Sequence, residues 1–358
     1  MISYGRQSIS DDDVAAVVET LRGDWLTQGP VVEQFEQAVA EYVGAKHAVS
    51  FSNGTAALHG AVVAANIGRG EHVVTSPLTF MASANAARYV GAIPELVDIS
   101  PATLNIAVEN VPSDKAVIPV HFAGLPVELD RLNKGDRIVI EDAAHALGAM
   151  TPYGPVGNCA HSDMTCFSFH PVKPITTAEG GMVTTNNDDF AKRLKEFRSH
   201  GIVRRPDIDP WYYSIDELGF NYRLTDMQSA LGISQLSKID SFINRRNEIA
   251  SRYRKLLKDS PVELPPEAPD GYLHGYHLFV VQVENRRKVF DALRSAGIGV
   301  QVHYVPVHHH PISSDIECSA DDFQNCDRYY ARAISLPIFP DLTDDEQDVV
   351  VSTLLSNL

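Results

Sequence analysis

The sequence predicts an α/β fold: a large domain on a mostly parallel central sheet, followed by a small C-terminal α+β domain. Three observations carry this. Short apolar runs at 48–51, 73–75, 93–97, 116–120 and 137–141 alternate with helix-like stretches such as 55–65 and 80–90. Runs apolar on both faces mark strands covered by helices on both sides, the arrangement of parallel sheets. Two further runs, 164–169 and 181–185, are close enough to be neighbouring strands, so the sheet occupies residues 45–190. Prolines then cluster at Ser260-Pro261 and through Leu264-Pro265-Pro266-Glu267-Ala268-Pro269, breaking the pattern. Residues 1–260 are therefore expected to form the large domain and residues 261–358 the small one.

Ahead of the sheet, Ser10 and Asp13 make a capping-box pattern, and Val14, Val17, Val18 and Leu21 follow at helical spacing. Pro30 opens a second helix bearing Phe35, Val39 and Tyr42, which Gly44 ends. Beyond the sheet, 188–199 and 225–255 read as helical. The small domain reads as a strand at 277–283, a helix at 286–296, a strand at 300–303, and helices starting at Ala320 and Asp344.

Composition narrows the function classes. With 44% hydrophobic and 21% charged residues the chain is globular, which excludes disorder. No apolar run approaches the ~18 residues of a membrane span, and Met1-Ile2-Ser3-Tyr4-Gly5-Arg6 lacks a signal-peptide core, so a cytoplasmic protein is expected. Thirty basic against 46 acidic residues give a net charge of −16. Such a surface speaks against binding nucleic acid or an anionic membrane, but a few local cations still suffice for a small anionic ligand. Cys159, Cys166, Cys318 and Cys326 have neither C-x-x-C nor zinc spacing and are expected as reduced thiols.

Three segments carry chemistry. Phe51-Ser52-Asn53-Gly54-Thr55-Ala56-Ala57-Leu58 is a strand turning through glycine into a helix, whose free N–H groups suit a phosphate; alone, it is also an ordinary β-α turn. Ile138-Val139-Ile140-Glu141-Asp142-Ala143-Ala144-His145 puts Asp142 at the carboxyl end of a buried strand, where open α/β sheets bind ligands. There Asp142 suits a protonated ring nitrogen or, equally, a helix N-cap. The third, Phe167-Ser168-Phe169-His170-Pro171-Val172-Lys173-Pro174, holds Lys173 between two prolines in a loop joining two strands. The restricted backbone is a rigid mount, and a lysine so presented forms a Schiff base if its surroundings lower its pKa.

Taken in order, with Asp142 31 residues before Lys173, these segments resemble the DegT-type sugar aminotransferases, fold-type-I enzymes that use pyridoxal phosphate. The likeness continues through Tyr4-Gly5-Arg6, Gly29-Pro30, Gly219-Phe220-Asn221-Tyr222-Arg223-Leu224 and Gly297-Ile298, nearly the whole chain. It implies fold type I, a transaminase, and pyridoxal 5'-phosphate as cofactor. By the same resemblance Lys173 is the Schiff-base lysine, Asp142 holds the pyridinium nitrogen, Phe80 covers a ring face, and His145 lies near the phenolic oxygen. Gly54, Thr55 and Ser168 would hold the phosphate from one subunit and Asn221 from its partner, which implies a homodimer. Tyr4, Trp25, Leu26 and Thr27 would lie near the sugar, and Tyr304 with His308, His309 and His310 near the nucleotide. Arg223 and Arg198 are the arginines considered for a pyrophosphate, Arg198 equally as an ion-pair partner.

The Lys173 loop, with Leu26-Thr27-Gln28-Gly29 and Gln301-Val302-His303-Tyr304, narrows what the resemblance implies. The expected reaction moves the amino group of glutamate onto C4 of a UDP-linked 4-keto-6-deoxy-N-acetylhexosamine, a step of pseudaminic acid biosynthesis. The alternatives are another nucleotide-linked keto sugar, dTDP-linked and aminated at C3 or C4, and a non-catalytic regulator on the same fold. Lys173 argues against the related sugar 3-dehydratases, which usually carry histidine there. No G-x-G-x-x-G follows the first strand, which argues against a nicotinamide oxidoreductase. No metal is expected at His308-His309-His310, because adjacent residues cannot all face one ion and no carboxylate stands beside them at ligand spacing.

Overall fold

The computed structural model describes every residue except Glu317 and Ala320. Seven strands build the central sheet: β1 (His47–Phe51), β2 (His72–Thr75), β3 (Ile93–Leu96), β4 (Ala116–Ile118), β5 (Ile140–Asp142), β6 (Met164–Ser168) and β7 (Gly181–Thr185). Two ladders, β1-β7-β6-β5 and β3-β2-β4, join through bridges between Val117 and Val139 and between Val120 and Asp142. The order across the sheet is thus β1-β7-β6-β5-β4-β2-β3. β2 is parallel to β3 and β4, and β5 to β6, whereas β7 runs antiparallel to β1 and β6. Register sets Asp142 against Cys166, Ser168 against Gly181 and Phe51 against Gly181. The carboxyl ends of β1, β5 and β6 therefore open on one side of the sheet, and the chain reverses there.

Helices cover both faces, as the doubly apolar strands require. Gly54–Ala64, Ala82–Tyr89 and Asp188–Arg198 lie on one side, where Ala57, Ala61, Leu194 and Phe197 pack on Val49, Phe51 and Val183. Pro30–Val43 and the helices Asp226–Leu236 and Ile239–Leu257 cover the other, where Phe35, Val39 and Ile243 meet Phe167 and Phe169. Pro30 stands in the first turn of its helix, and Gly44 ends it at φ 76°, a left-handed conformation that glycine adopts without steric cost. The block expected at 225–255 is two helices broken at Ser237-Lys238.

The helix Asp11–Arg22 has the expected capping box, with the Ser10 N–H donating to Asp13 Oδ2 at 2.8 Å. Its apolar stripe, however, faces outward: Val14 is 53% exposed and Leu21 55%. The helix is anchored instead by buried Asp13, which accepts hydrogen bonds from Ser234 Oγ at 2.6 Å and Gln235 Nε2 at 2.8 Å.

A second core gathers Phe279, Val281, Leu293 and Leu354 with Ile249, Tyr253 and Leu257 from the long helix Ile239–Leu257. Its ladder pairs β8 (Phe279–Gln282) with antiparallel β9 (Ala333–Leu336). The strand expected at 300–303 is not a ladder strand. Gln301 makes one bridge to Ser335, and the preceding backbone is taken by the N-terminus, where the Gly299 N–H donates to the Ile2 carbonyl at 2.6 Å. The expected helix start at Ala320 lies outside the described residues; the helix that follows is Gln324–Arg332. Among the described residues, no helix is long and apolar enough to cross a membrane.

Candidate active site

The strand ends enclose a cavity of about 710 Å³. It draws Asn53, Gly54 and Thr55 from the turn after β1, Asp142 from the end of β5 and His145 from the turn that follows, and Ser168 from the end of β6 and Lys173 from the loop beyond it. Tyr4, Phe80, His277, His303 and Tyr304 complete its walls.

At the first corner the Asn53 side chain caps the helix, accepting from the Ala56 N–H at 2.8 Å. The first helical N–H groups, at Gly54 and Thr55, have no carbonyl within the helix to reach. A Cβ at position 54 would stand 2.8 Å from Ser168 Cβ and 3.1 Å from its Oγ. Glycine therefore keeps open a cradle of backbone N–H and serine hydroxyl at the positive end of a helix, a geometry that binds phosphate.

Successive side chains of a strand point to opposite faces, and this sorts the two carboxylates of β5. Glu141 turns away from the cavity to His121, at 2.7 Å, and to the Thr165 hydroxyl at 2.8 Å. Asp142 faces the cavity. Its Oδ1 accepts from the Ala144 N–H at 3.1 Å, and Oδ2 accepts from the Ser83 hydroxyl at 2.7 Å. Ser83 is itself 2.7 Å from the Thr79 hydroxyl, so Thr79 donates to Ser83 and Ser83 to Asp142. Three elements thus fix one buried carboxylate.

His145 follows on the same turn. Its Nδ1 accepts the Ala123 N–H at 3.2 Å, which leaves the proton on Nε2, and Nε2 donates to the Tyr304 hydroxyl at 2.9 Å. Burial, reinforced by the Lys173 charge, holds the imidazole well below its usual pKa, so it stays neutral. Tyr304 is pushed up by burial and by Asp142, so it remains a phenol.

Lys173 sits on the loop joining β6 to β7, closed by the Thr177 N–H to the Phe169 carbonyl at 3.0 Å and the Phe169 N–H to the Gly180 carbonyl at 2.8 Å. Burial lowers its pKa to about 8, with the Asp142 charge working in the opposite direction. A free amine near neutral pH is what carbonyl addition needs. The sign follows from the folded pKa: protonated amine dominates below about 8 and free amine above it. Uptake of pyridoxal phosphate by the apoprotein, followed by visible absorption, should therefore accelerate roughly tenfold per unit as pH rises toward that value and level off beyond it. A rate independent of pH across this range would contradict the assignment.

Of the residues expected from the sequence, Tyr4, Gly54, Thr55, Phe80, Asp142, His145, Ser168, Lys173 and Tyr304 meet in the cavity. Trp25, Leu26, Thr27, Asn221, Arg223, His308, His309 and His310 do not line it within one chain. Thr27 bridges to Thr225 and Asn221 to Ser199, and both Thr27 and Asn221 are exposed. His308 and His309 turn to Asp327. Arg198 is an ion-pair partner, held by Glu36 and by Ser50 Oγ at 2.8 Å, so it is no pyrophosphate ligand. Sequence reasoning missed the cavity groups His277 and His303, and also Ser83, which does not line the cavity but holds Asp142 in place. Ser83 had a signal, standing one turn after Phe80, whereas the two histidines reach the site through tertiary packing alone.

Pyridoxal phosphate fits these residues, with a cradle for its phosphate, a fixed carboxylate for its ring nitrogen and an amine for its aldehyde. The comparisons agree. Residues 7–355 match the model of the DegT/DnrJ/EryC1/StrS aminotransferase family. The spore coat polysaccharide biosynthesis protein SpsC of Bacillus subtilis is 37% identical, over 99% of this chain and 96% of its own. The UDP-4-amino-4,6-dideoxy-N-acetyl-beta-L-altrosamine transaminase of Campylobacter jejuni is 37% identical, over 100% and 98%. Among solved structures, Helicobacter pylori PseC, an aminotransferase involved in the biosynthesis of pseudoaminic acid, superposes with TM-score 0.92 at 29% identity, covering 99% of this chain and 98% of its own. The PLP-form of the putative sugar aminotransferase Spr1654 from Streptococcus pneumoniae gives 0.91 at 26% identity, with coverage of 99% and 98%. The chain belongs to the DegT/DnrJ/EryC1/StrS aminotransferase family and is a pyridoxal-phosphate-dependent transaminase.

Proposed function

We propose that this transaminase moves the amino group of glutamate onto C4 of a UDP-linked 4-keto-6-deoxy-N-acetylhexosamine, the chemistry of pseudaminic acid biosynthesis. The observation that carries it is the full-length 37% identity to the Campylobacter altrosamine transaminase, whose name gives a UDP-linked 4-amino-4,6-dideoxy-N-acetyl sugar, the product that amination of such an acceptor at C4 would leave. When bound, the cofactor supplies an electron sink for charge developing at the reacting carbon. The chain supplies the rest. Asp142, held by Ser83 and Ala144, keeps a ring nitrogen protonated. Lys173 Nζ, a free amine above its lowered pKa, takes the proton from the donor's α-carbon and returns one to sugar C4. Tyr4 and Tyr304 on the cavity wall are the proposed sugar contacts. A cytoplasmic location goes with this reading and suits four unpaired cysteines.

The test is incubation of the purified holoenzyme with glutamate and a panel of UDP- and dTDP-linked 4-keto and 3-keto sugars, products read by mass and NMR. Amination at C4 of the UDP-linked N-acetyl sugar is expected. The equal identity to SpsC favours a second reading, another nucleotide-linked keto sugar, and a clear preference for a dTDP-linked 3-keto acceptor would establish it instead.

We further propose that the active species is a homodimer in which Asn221 reaches the partner's cofactor phosphate. Support comes from Asn221, which is exposed and outside its own chain's cavity. Beside it, the loop of the hairpin Ile202–Arg204/Tyr213–Ile215 carries Trp211 at 76% exposure, and Leu218, three residues past the hairpin, is 80% exposed, apolar surface that an isolated subunit leaves wet. Mixing Lys173→Ala with Asn221→Ala subunits gives heterodimers with one intact site. About a quarter of wild-type activity should return after full exchange; no recovery despite verified exchange would place each site within one chain.

A further inference from the structure

Outside the residues that line the cavity, two of the histidines expected near the nucleotide converge on a carboxylate. His308 and His309 lie in the short turn Val307–His309, and Asp327 lies in the helix Gln324–Arg332. Both imidazole Nε2 atoms are 3.0 Å from the same carboxylate oxygen, Asp327 Oδ1. The three donor atoms lie within 4.8 Å of one another. We infer that His308, His309 and Asp327 form a binding site for a divalent transition-metal ion.

Two of the three ligand separations are close to what such an ion needs. Imidazole and carboxylate ligands sit about 2.0–2.2 Å from zinc in a tetrahedral site, which sets ligand-to-ligand separations of roughly 3.3 Å. The observed nitrogen-to-oxygen separations of 3.0 Å need to open by only a few tenths of an ångström. Two imidazoles with one carboxylate select zinc, cobalt, nickel or copper over calcium and magnesium, which prefer all-oxygen shells. The His308 side chain is 9% exposed and packs against Phe323 at 4.5 Å between ring centroids, so one ligand is fixed before any ion arrives. His309 at 37% and Asp327 at 38% keep the remaining coordination position open to water.

The site also has a structural consequence. Val307 N–H donates to the Pro77 carbonyl at 2.9 Å, and Tyr329, on the same helix as Asp327, donates to the His303 carbonyl at 3.2 Å. The turn leads directly from His303 and Tyr304, which line the cavity. An ion shared by turn and helix would brace that wall from behind, outside the reacting atoms. The competing arrangement is two plain imidazole-to-carboxylate hydrogen bonds, and metal titration separates the two.

The experiment uses tag-free, chelator-treated holoenzyme titrated with cobalt(II), read by its visible ligand-field bands, with zinc as competitor. One ion per chain is expected, with a dissociation constant at or below about 10 µM. His309→Gln and Asp327→Asn, both at partly exposed positions, should each weaken binding at least about tenfold while far-UV circular dichroism stays unchanged. Saturating zinc should raise the thermal midpoint of the wild type and not of these variants. Absence of tetrahedral cobalt bands, or equal affinity in wild type and both variants, would overturn the site.

Discussion

Replacing Lys173 with alanine is expected to reduce turnover by about 10⁴-fold or more, because one substitution removes both the Schiff-base amine and the group that moves the proton. The fold should persist. The loop that carries position 173 is closed by backbone bonds of Phe169 and Thr177, and the residue's own N–H reaches the His170 carbonyl at 2.9 Å, none of which needs the amine. Enclosing that amine is unfavourable enough to lower its pKa to about 8, so its removal should not lower the thermal midpoint. Single-turnover release of 2-oxoglutarate from glutamate measures the effect, and residual activity within tenfold of wild type would refute the role of Lys173.

The second large effect is at Asp142. Asp142→Asn keeps the size of the side chain and removes the charge that the Ser83 hydroxyl and the Ala144 N–H stabilise. Loss of one such electrostatic group costs about 10² to 10³ in kcat. The substitution carries a further signature. The Asp142 charge raises the Lys173 pKa against the effect of burial, so removing it should move the acid limb of cofactor uptake to lower pH. A variant that loses activity with no downward movement of that limb would show that Asp142 does not act on Lys173 through charge.

Much of the fold was legible because the central strands are buried on both faces and short, so each appears as an apolar run between helical stretches. Ladder ends were less so. β5 starts at Ile140 rather than 137, since a strand begins where its neighbour offers a partner, and Val139 makes only an isolated bridge. The segment at 300–303 had a strand's composition but found one bridge partner. Periodicity correctly marked Asp11–Arg22 as a helix yet said nothing of what covers its apolar stripe, which one chain leaves exposed.

The site divides in the same way. Lys173 and Asp142 carry their meaning in local context, a proline-bounded loop and a strand end. His277 and His303 gain theirs only from packing, which no local pattern encodes, whereas Ser83 stands one helical turn after Phe80. Arg198 had the charge to bind a phosphate, but Glu36, 162 residues earlier, neutralises it. Asp327 stands far enough along the chain from His308 and His309 that ligand spacing gave no hint of it, and only the packing of the helix Gln324–Arg332 brings it within 3.0 Å.

Reduction of the holoenzyme with borohydride, followed by peptide mapping, locates the lysine that carries the cofactor. One phosphopyridoxyl group per chain is expected, on Lys173, with none recovered from the Lys173→Ala protein. Label on any other lysine, or an unlabelled chain from a preparation that transaminates, would contradict that assignment.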